Sequence, residues 1–331
     1  MQAIQIEGFG EADQLRLVHV EPPRPGPGEA LVRLSCAGVN FIDVYMRKGM
    51  YARSETYKTP LPMTVGMEGA GTVVEVGEGV QDLAVGTRVA YCLSRGSYAE
   101  FAVVPAWRLV PVPRQVPPAV AAALMLQGCT AHYLATSAFA LSPGHSCLVH
   151  AAAGGVGQLL VQLAKLRGAR VIATAGSADK ADIAMRCGAD SCILYREVDF
   201  RDQVLALTER NGVDVVYDSV GRETIQRSIR CLKPRGLCIL YGASSGAVPA
   251  VTPLELAEAG SVFFTRPHLA DYIATRDELR QRCEQLFAHW SSGRLRVSID
   301  RELPLAEAAT AHRLLEGRAS RGKLLLRIEP D

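Results

Sequence analysis

The chain has 331 residues, 48% of them hydrophobic and 21% charged, which suits a globular protein of two domains, since one core stops growing at roughly 250–300 residues. Lys and Arg number 36 against 34 Asp and Glu, so the charge balance gives no support to a nucleic-acid or membrane-surface partner. Nine cysteines, none in a C-x-x-C pair and most inside apolar runs such as CLVH and GLCILYG, argue for reduced thiols in the cytoplasm rather than a disulfide framework.

The first residues, MQAIQIEGFGEADQL, carry neither a basic n-region nor an apolar h-region and read as no secretory signal. The runs QAIQI, EALVRLSCAGV, GAGTVVEVG, GTRVAYC and SYAEFAVVP come next, short and β-branched between glycines and prolines, and predict strands of a sandwich or barrel. PPRPGPGE (22–29) is a rigid connector that no helix or strand tolerates. Helical character appears at Asn40–Lys48 and again from Pro117. The apolar stretch from Ala119 to Leu141 is interrupted by Gln127, Thr130, His132 and Ser137 and reads as buried helix, not as a membrane span.

After Ser142 strands and helices alternate. CLVHAAA (147–153) is a strand; GGVGQLLVQLAKLRG is a helix closing on Gly168; ARVIATA (169–175) is the next strand; SADKADIAMRCG is a helix capped by Ser177 and ended by Gly188. The alternation continues through DSCILY, VDVVYDSV, GLCILYG and SVFFTR to about residue 266. This pattern predicts an α/β fold with a doubly wound parallel sheet of about six strands. DELRQRCEQLFAHWSSG (277–293) is an amphipathic helix, and the tail ends in a strand expected to return to the first domain. The predicted division is 1–122 with 268–331 for a β-rich domain and 123–267 for the alternating one.

HAAAGGVGQLL follows a strand, opens a helix and leads to a second strand, which is the context a dinucleotide site requires. Gly154 and Gly155 allow a tight turn and close approach of a pyrophosphate to the helix N-terminus at Val156, while Gly157 allows helix and strand to pack closely. The second strand ends Thr174-Ala175-Gly176-Ser177 without the acid that holds an NAD ribose; Lys180 follows, and Tyr195 and Arg196 end the next strand. Hydroxyl and ammonium groups without a competing carboxylate favour NADPH. The competing reading turns Asp179 toward the ribose and leaves Lys180 solvated. Further strand ends at DSVG (218–221), YGASSG (241–246) and FFTR (263–266) should line the same crevice, through Ser219, Tyr241, Gly242, Ala243, Ser244, Ser245, Phe264, Thr265 and Arg266.

CAGVNFIDVYMRKG, VGMEGAGTVVEVGEGV and AAAGGVG together resemble the medium-chain dehydrogenase/reductase superfamily, and DVVYDSVG, YGASSGAV and FFTRP are similar to its quinone oxidoreductase (zeta-crystallin-like) branch. The resemblance covers nearly the whole chain and implies a GroES-like catalytic domain beside a Rossmann domain. Where zinc relatives place cysteine, histidine and cysteine on a catalytic metal, this sequence has Asn40, Met67 and Gln127, which make no tetrahedral N/S site. Only Cys92 lies between Val89 and Phe101, so the four-cysteine zinc lobe is missing as well. Glu68, with no charge partner nearby in sequence, is then expected to be structural, accepting hydrogen bonds from backbone N–H groups.

Without a Lewis acid the acceptor must take hydride readily, and quinones do. The resemblance implies a pocket of Asn40, Asp43, Tyr45, Tyr51 and Gln127, with Asn40 donating to a quinone oxygen and Tyr51 in contact or relaying a proton. It further places Phe41, Tyr45, Thr130, Tyr133, Lys180, Tyr195, Ser219, Arg266 and Arg318 around the cofactor. Reduction of an activated C=C bond in an enal or enone makes similar demands; a crystallin-like or RNA-binding role is weighed down by the neutral charge. SVFFTR is an apolar edge through which a homodimer would pair.

Overall fold

The computed structural model describes residues 1–328. Two compact units divide the chain: Met1–Cys129 with Ile273–Gly293 and the segment from Val297, and Thr130–Tyr272 with Arg294–Arg296.

The axis of the first unit is the strand Glu29–Val39, whose apolar residues are nearly all buried. It pairs antiparallel with Glu68–Val76 on one side. On the other it pairs with Phe101–Pro105 along its first half and with Lys323–Arg327 along its second. Arg88–Cys92, Val110–Pro111 and Ile299–Pro304 complete a seven-stranded sheet, and Arg16–His19, Gln2–Ile6 and Met63–Thr64 form a separate sheet of three. The expected returning strand of the tail is therefore present. The register of the axial strand gathers three distant segments at one end of the sheet. Val39 faces Leu324 and Ala37 faces Gly69, so the end of the axial strand runs with Asn40 beside Lys323 and Gly38 beside Glu68. Ile4, Val39, Met46, Met67, Tyr98, Ala311 and Leu324 belong to one buried cluster beneath this end.

The apolar stretch after Pro117 is indeed helical and buried, but broken: Pro118–Ala123, a π turn at Leu124–Gly128, Cys129–Tyr133, and a second π turn at Leu134–Ala138. Such turns recur at functional sites because they displace the residues they carry from the regular helical face. Among the described residues no helix is long and apolar enough to cross a membrane. The helix expected at 277–293 runs Arg276–Ser291, its N-terminus closed by Thr275 and Glu278 in a reciprocal capping box.

The second unit is built on six parallel strands, Ser146–Val149, Arg170–Ala175, Ser191–Leu194, Val213–Asp218, Leu232–Leu240 and Phe263–Thr265. Numbered in that order they lie 3-2-1-4-5-6, the doubly wound arrangement of dinucleotide-binding folds. Chain order reverses direction at the first strand, and the crevice outside its carboxyl end is where such sheets take ligands. Phe263–Thr265 is an edge strand, with Phe263 63% exposed.

Candidate active site

In the second unit the first strand ends at Val149 and the helix Gly155–Leu166 begins after Gly154, its N-cap. No acidic side chain occupies the first turn, and the leading N–H groups have no partner within the helix. Gly154, Gly155 and Val156 are half-buried, open enough for an anion to reach them. A Cβ on Gly157 would sit 2.7 Å from Ala152 Cα, so only glycine lets this helix pack against the preceding turn. Ala151, in the place of the usual first glycine, adopts φ +50°.

At the end of the second strand Ser177 caps the helix Ala178–Arg186, and its hydroxyl bonds the carboxylate of Asp179. Asp179 is thus drawn to its own helix start. The third strand brings Tyr195 and Arg196 over the same point: a Cβ on Gly176 would meet Tyr195 Oη at 2.8 Å and Arg196 Nε at 3.5 Å. Lys180 is half-buried in the first turn of the same helix. Ser177, Lys180, Tyr195 and Arg196 thus lie where the second and third strands end.

The ends of the fourth and fifth strands are knit into one structure. Ser244 N–H donates to Ser219 O at 3.1 Å, Ser245 Oγ to Val220 O at 2.7 Å, and Arg222 to Ser245 O at 2.8 Å. Gly242 passes so near Ser219 that a Cβ would lie 2.6 Å from its carbonyl oxygen. Asp218, fully buried, fixes the turn by accepting from Val220 N (2.8 Å), Gly221 N (3.0 Å) and Thr224 Oγ1 (2.9 Å). Its other oxygen accepts from Ser228 Oγ, which is 3.0 Å from His150 Nε2. Burial holds the His150 imidazole below its ordinary titration range. The sequence placed the Asp-Ser-Val-Gly turn at the crevice but did not single out the Asp218 side chain that fixes it, nor His150 behind it. Thr130 and Tyr133 are buried on Cys129–Tyr133, where Tyr133 stacks on Tyr272 with centroids 4.2 Å apart. Phe264 and Thr265 are half-buried on the edge strand, and Arg266 donates to Pro267 O. Of the expected cofactor residues Phe41, Tyr45 and Arg318 belong to the first unit, Arg318 exposed just beyond the helix Ala308–Glu316.

The first unit holds the expected substrate residues. Asn40 caps the helix Phe41–Arg47, and Asp43 reaches back to accept its N–H at 2.9 Å. Phe41, Tyr45 and Tyr51 form one aromatic run, with successive centroids 5.8 and 5.9 Å apart, and Tyr57 extends it at 5.0 Å. Tyr57 was missed because nothing in SETYKTP marks it as part of a wall.

Glu68 departs from expectation. Among the described residues a single backbone group, Leu126 N–H at 2.5 Å, donates to it. Its other oxygen is paired with the ammonium of Lys323 and accepts from Asn40 Nδ2 at 2.8 Å. Both side chains are buried, Glu68 0% and Lys323 1% exposed, so each charge depends on the other. Lys323 also donates to Asn40 Oδ1 at 2.8 Å, and Gln127 Nε2 approaches the same oxygen at 3.3 Å. The remaining Asn40 hydrogen points to Gly38 O at 3.4 Å. Both amide hydrogens of Asn40 are thus committed within the protein, and donation to a substrate oxygen would require one of these bonds to break. Gly38 makes the arrangement possible, because any Cβ there would overlap Glu68 Oε2.

A second buried chain runs behind Asp43. Arg47 can only donate, so His312 Nδ1, 3.3 Å away, accepts; Nε2 then carries the proton and donates to Tyr98 Oη at 3.1 Å, and Tyr98 donates to Asp43 Oδ2 at 3.2 Å. Asp43 Oδ1 is buried without a partner among the described residues. Burial pushes the Asp43 carboxyl up to about 7, and burial together with Arg47 pushes His312 down to about 3. Among the described residues no group of three His, Cys, Asp or Glu could hold a metal ion.

A phosphate-ready helix N-terminus on a 3-2-1-4-5-6 sheet, coupled in one chain to a β-rich unit bearing an aromatic wall, defines a nicotinamide-dependent dehydrogenase or reductase. Family models agree: residues 26–114 match the alcohol dehydrogenase GroES-like domain and residues 155–289 the zinc-binding dehydrogenase domain. Quinone oxidoreductase 1 of Escherichia coli is 40% identical over 98% of each chain. The 2-haloacrylate reductase of a Burkholderia species is 39% identical, likewise over 98% of each chain. The structure of E. coli quinone oxidoreductase complexed with NADPH superimposes with a TM-score of 0.95 at 39% identity, covering 99% of this chain and 100% of that one. The chain belongs to the quinone oxidoreductase branch of the medium-chain dehydrogenase/reductase superfamily.

Proposed function

We infer that this protein is an NADPH:quinone oxidoreductase working without zinc. The observation that carries the reading is the full-length likeness to an NADPH-complexed quinone oxidoreductase, in a chain whose three ligand positions hold Asn40, Met67 and Gln127. NADPH when bound supplies the hydride, and the acceptor's ring delocalises the charge that arrives. The chain's own residues bind, orient and exclude water. The N–H groups at Gly155–Gly157 take the pyrophosphate, and Ser177, Lys180 and Tyr195 take the 2′-phosphate. The joined turns at Ser219–Arg222 and Tyr241–Gly246 support the nicotinamide ribose. Phe41, Tyr45 and Tyr51 form an apolar wall against a flat ring.

The test is NADPH oxidation with 1,4-naphthoquinone, expected to survive chelator treatment, and a preference for NADPH over NADH expected to fall at least tenfold in Lys180→Ala, as loss of a charge-assisted hydrogen bond implies. An unchanged preference moves the phosphate site elsewhere. The likeness to 2-haloacrylate reductase favours a second reading, reduction of an activated C=C bond, and faster turnover of an alkenal than of the quinone would select it. The protein is also proposed to work in the cytoplasm as a homodimer paired through Phe263–Thr265. A light-scattering mass of one chain contradicts the latter.

A further inference from the structure

We propose that Lys323 and Glu68 are a positioning pair which fixes the amides of Asn40 and Gln127, and that Gln127 is the member of this group that grips the acceptor's carbonyl oxygen. The proposal rests on the oxidoreductase reading and names the part of the site that meets the substrate.

The orientation of each amide follows from what its neighbours can do. An ammonium cannot accept, so the Asn40 atom 2.8 Å from Lys323 Nζ is its oxygen. A carboxylate cannot donate, so the Asn40 atom 2.8 Å from Glu68 Oε2 is its nitrogen. The ion pair therefore removes the flip that amides otherwise allow. Asn40 Oδ1, facing Gln127, passes the constraint outward: Gln127 must turn its nitrogen inward, as it does at 3.3 Å. One Nε2 hydrogen is used there. The second hydrogen and Oε1 remain for a ligand, and Asn40 is the one hydrogen-bonding partner of the Gln127 side chain among the described residues.

Burial grades the same way. Glu68 and Lys323 are 0% and 1% exposed, Asn40 3% and Gln127 9%, so Gln127 is the outermost of the four. The π turn Leu124–Gly128 that carries Gln127 is itself tied to the pair, through Leu126 N–H on Glu68 Oε1 at 2.5 Å. Position and direction of Gln127 thus both trace to the ion pair. The spare N–H suits a quinone or enone carbonyl, and, where the acceptor is a quinone, Oε1 can accept from the hydroquinone hydroxyl formed once hydride from NADPH and a proton from solvent have been added.

The experiment is a mutant cycle on kcat/KM for 1,4-naphthoquinone, comparing wild type, Gln127→Ala, the Glu68→Gln/Lys323→Met pair and the triple variant. NADPH dissociation constants are measured alongside. Each change alone is expected to lower kcat/KM about tenfold, the scale of one lost hydrogen bond, with NADPH affinity unchanged. The triple variant is expected to be no worse than the poorer of the two, because the pair acts through Gln127. Losses that multiply overturn the proposal, as does a Gln127→Ala variant with wild-type kcat/KM. If the charge-free pair does not fold, Asn40→Leu replaces it in the cycle with the same two outcomes, since it leaves Lys323 and Glu68 paired. A wild type that reduces an alkenal but no quinone refutes the quinone reading alone, and the cycle is then read on the alkenal.

Discussion

Replacing Lys323 by methionine keeps most of the apolar stem and strands the Glu68 carboxylate at 0% exposure. Asn40 Nδ2 and Leu126 N–H still donate to it, but no opposite charge remains in hydrogen-bonding contact. Breaking a buried pair by removing one partner costs roughly 3–5 kcal/mol, because the remaining charge stays desolvated without its counter-ion. At about 2–4 °C per kcal/mol for a unit of this size, melting should drop by about 6–20 °C. Differential scanning fluorimetry reads this directly. Glu68→Gln/Lys323→Met should recover most of the loss, because replacing both charges of a buried pair is often neutral. A Lys323→Met melting curve like that of the wild type, or a double variant no more stable than the single one, would refute the reasoning.

Gly38→Ala drives a methyl into Glu68 Oε2, with Lys323 Cε 2.8 Å away, and should cost about 1–3 kcal/mol by overpacking; a wild-type melting curve contradicts this. Asp43, raised by burial to about 7, weakens the fold as pH rises from about 4 to about 7, by up to about 4 kcal/mol. Asp43→Asn keeps an acceptor for Asn40 N–H and Tyr98 Oη, so denaturant titrations from pH 5 to pH 8 should show it gaining on wild type as pH rises; a constant difference removes Asp43 as the titrating group. Gly157→Ala must push its helix off Ala152, and calorimetry should find NADPH binding at least tenfold weaker, with quinone turnover falling in step; unchanged affinity would mean that the close packing is not required.

The second unit was legible because each of its signals is local: Gly154 opens the helix, Ser177 caps the next, Gly188 with φ +102° ends it, and buried runs alternate with amphipathic ones. The first unit was legible only as a set of strands. Its partners are distant in sequence, and one sheet joins strands at both ends of the chain. Glu68 was singled out correctly as an anomaly and given the wrong partners, because a lysine before Leu-Leu-Leu-Arg reads as solvated at a strand start. Arg47 likewise reads as a solvated charge near the end of a short helix, yet it is fully buried against His312 and Glu316. Sequence spacing cannot express either pairing: strand register sets the first, and contact between the helices Phe41–Arg47 and Ala308–Glu316 sets the second.

Lys323 and Glu68 stand 255 residues apart. At about 5–20 residues per second of synthesis, the acid waits roughly 13–50 s on the ribosome before its cation exists. The β-rich unit cannot close its polar centre until the whole nucleotide unit has emerged. A nascent chain therefore holds all six strands of its parallel sheet well before it can hold the buried ion pair of its β-rich unit.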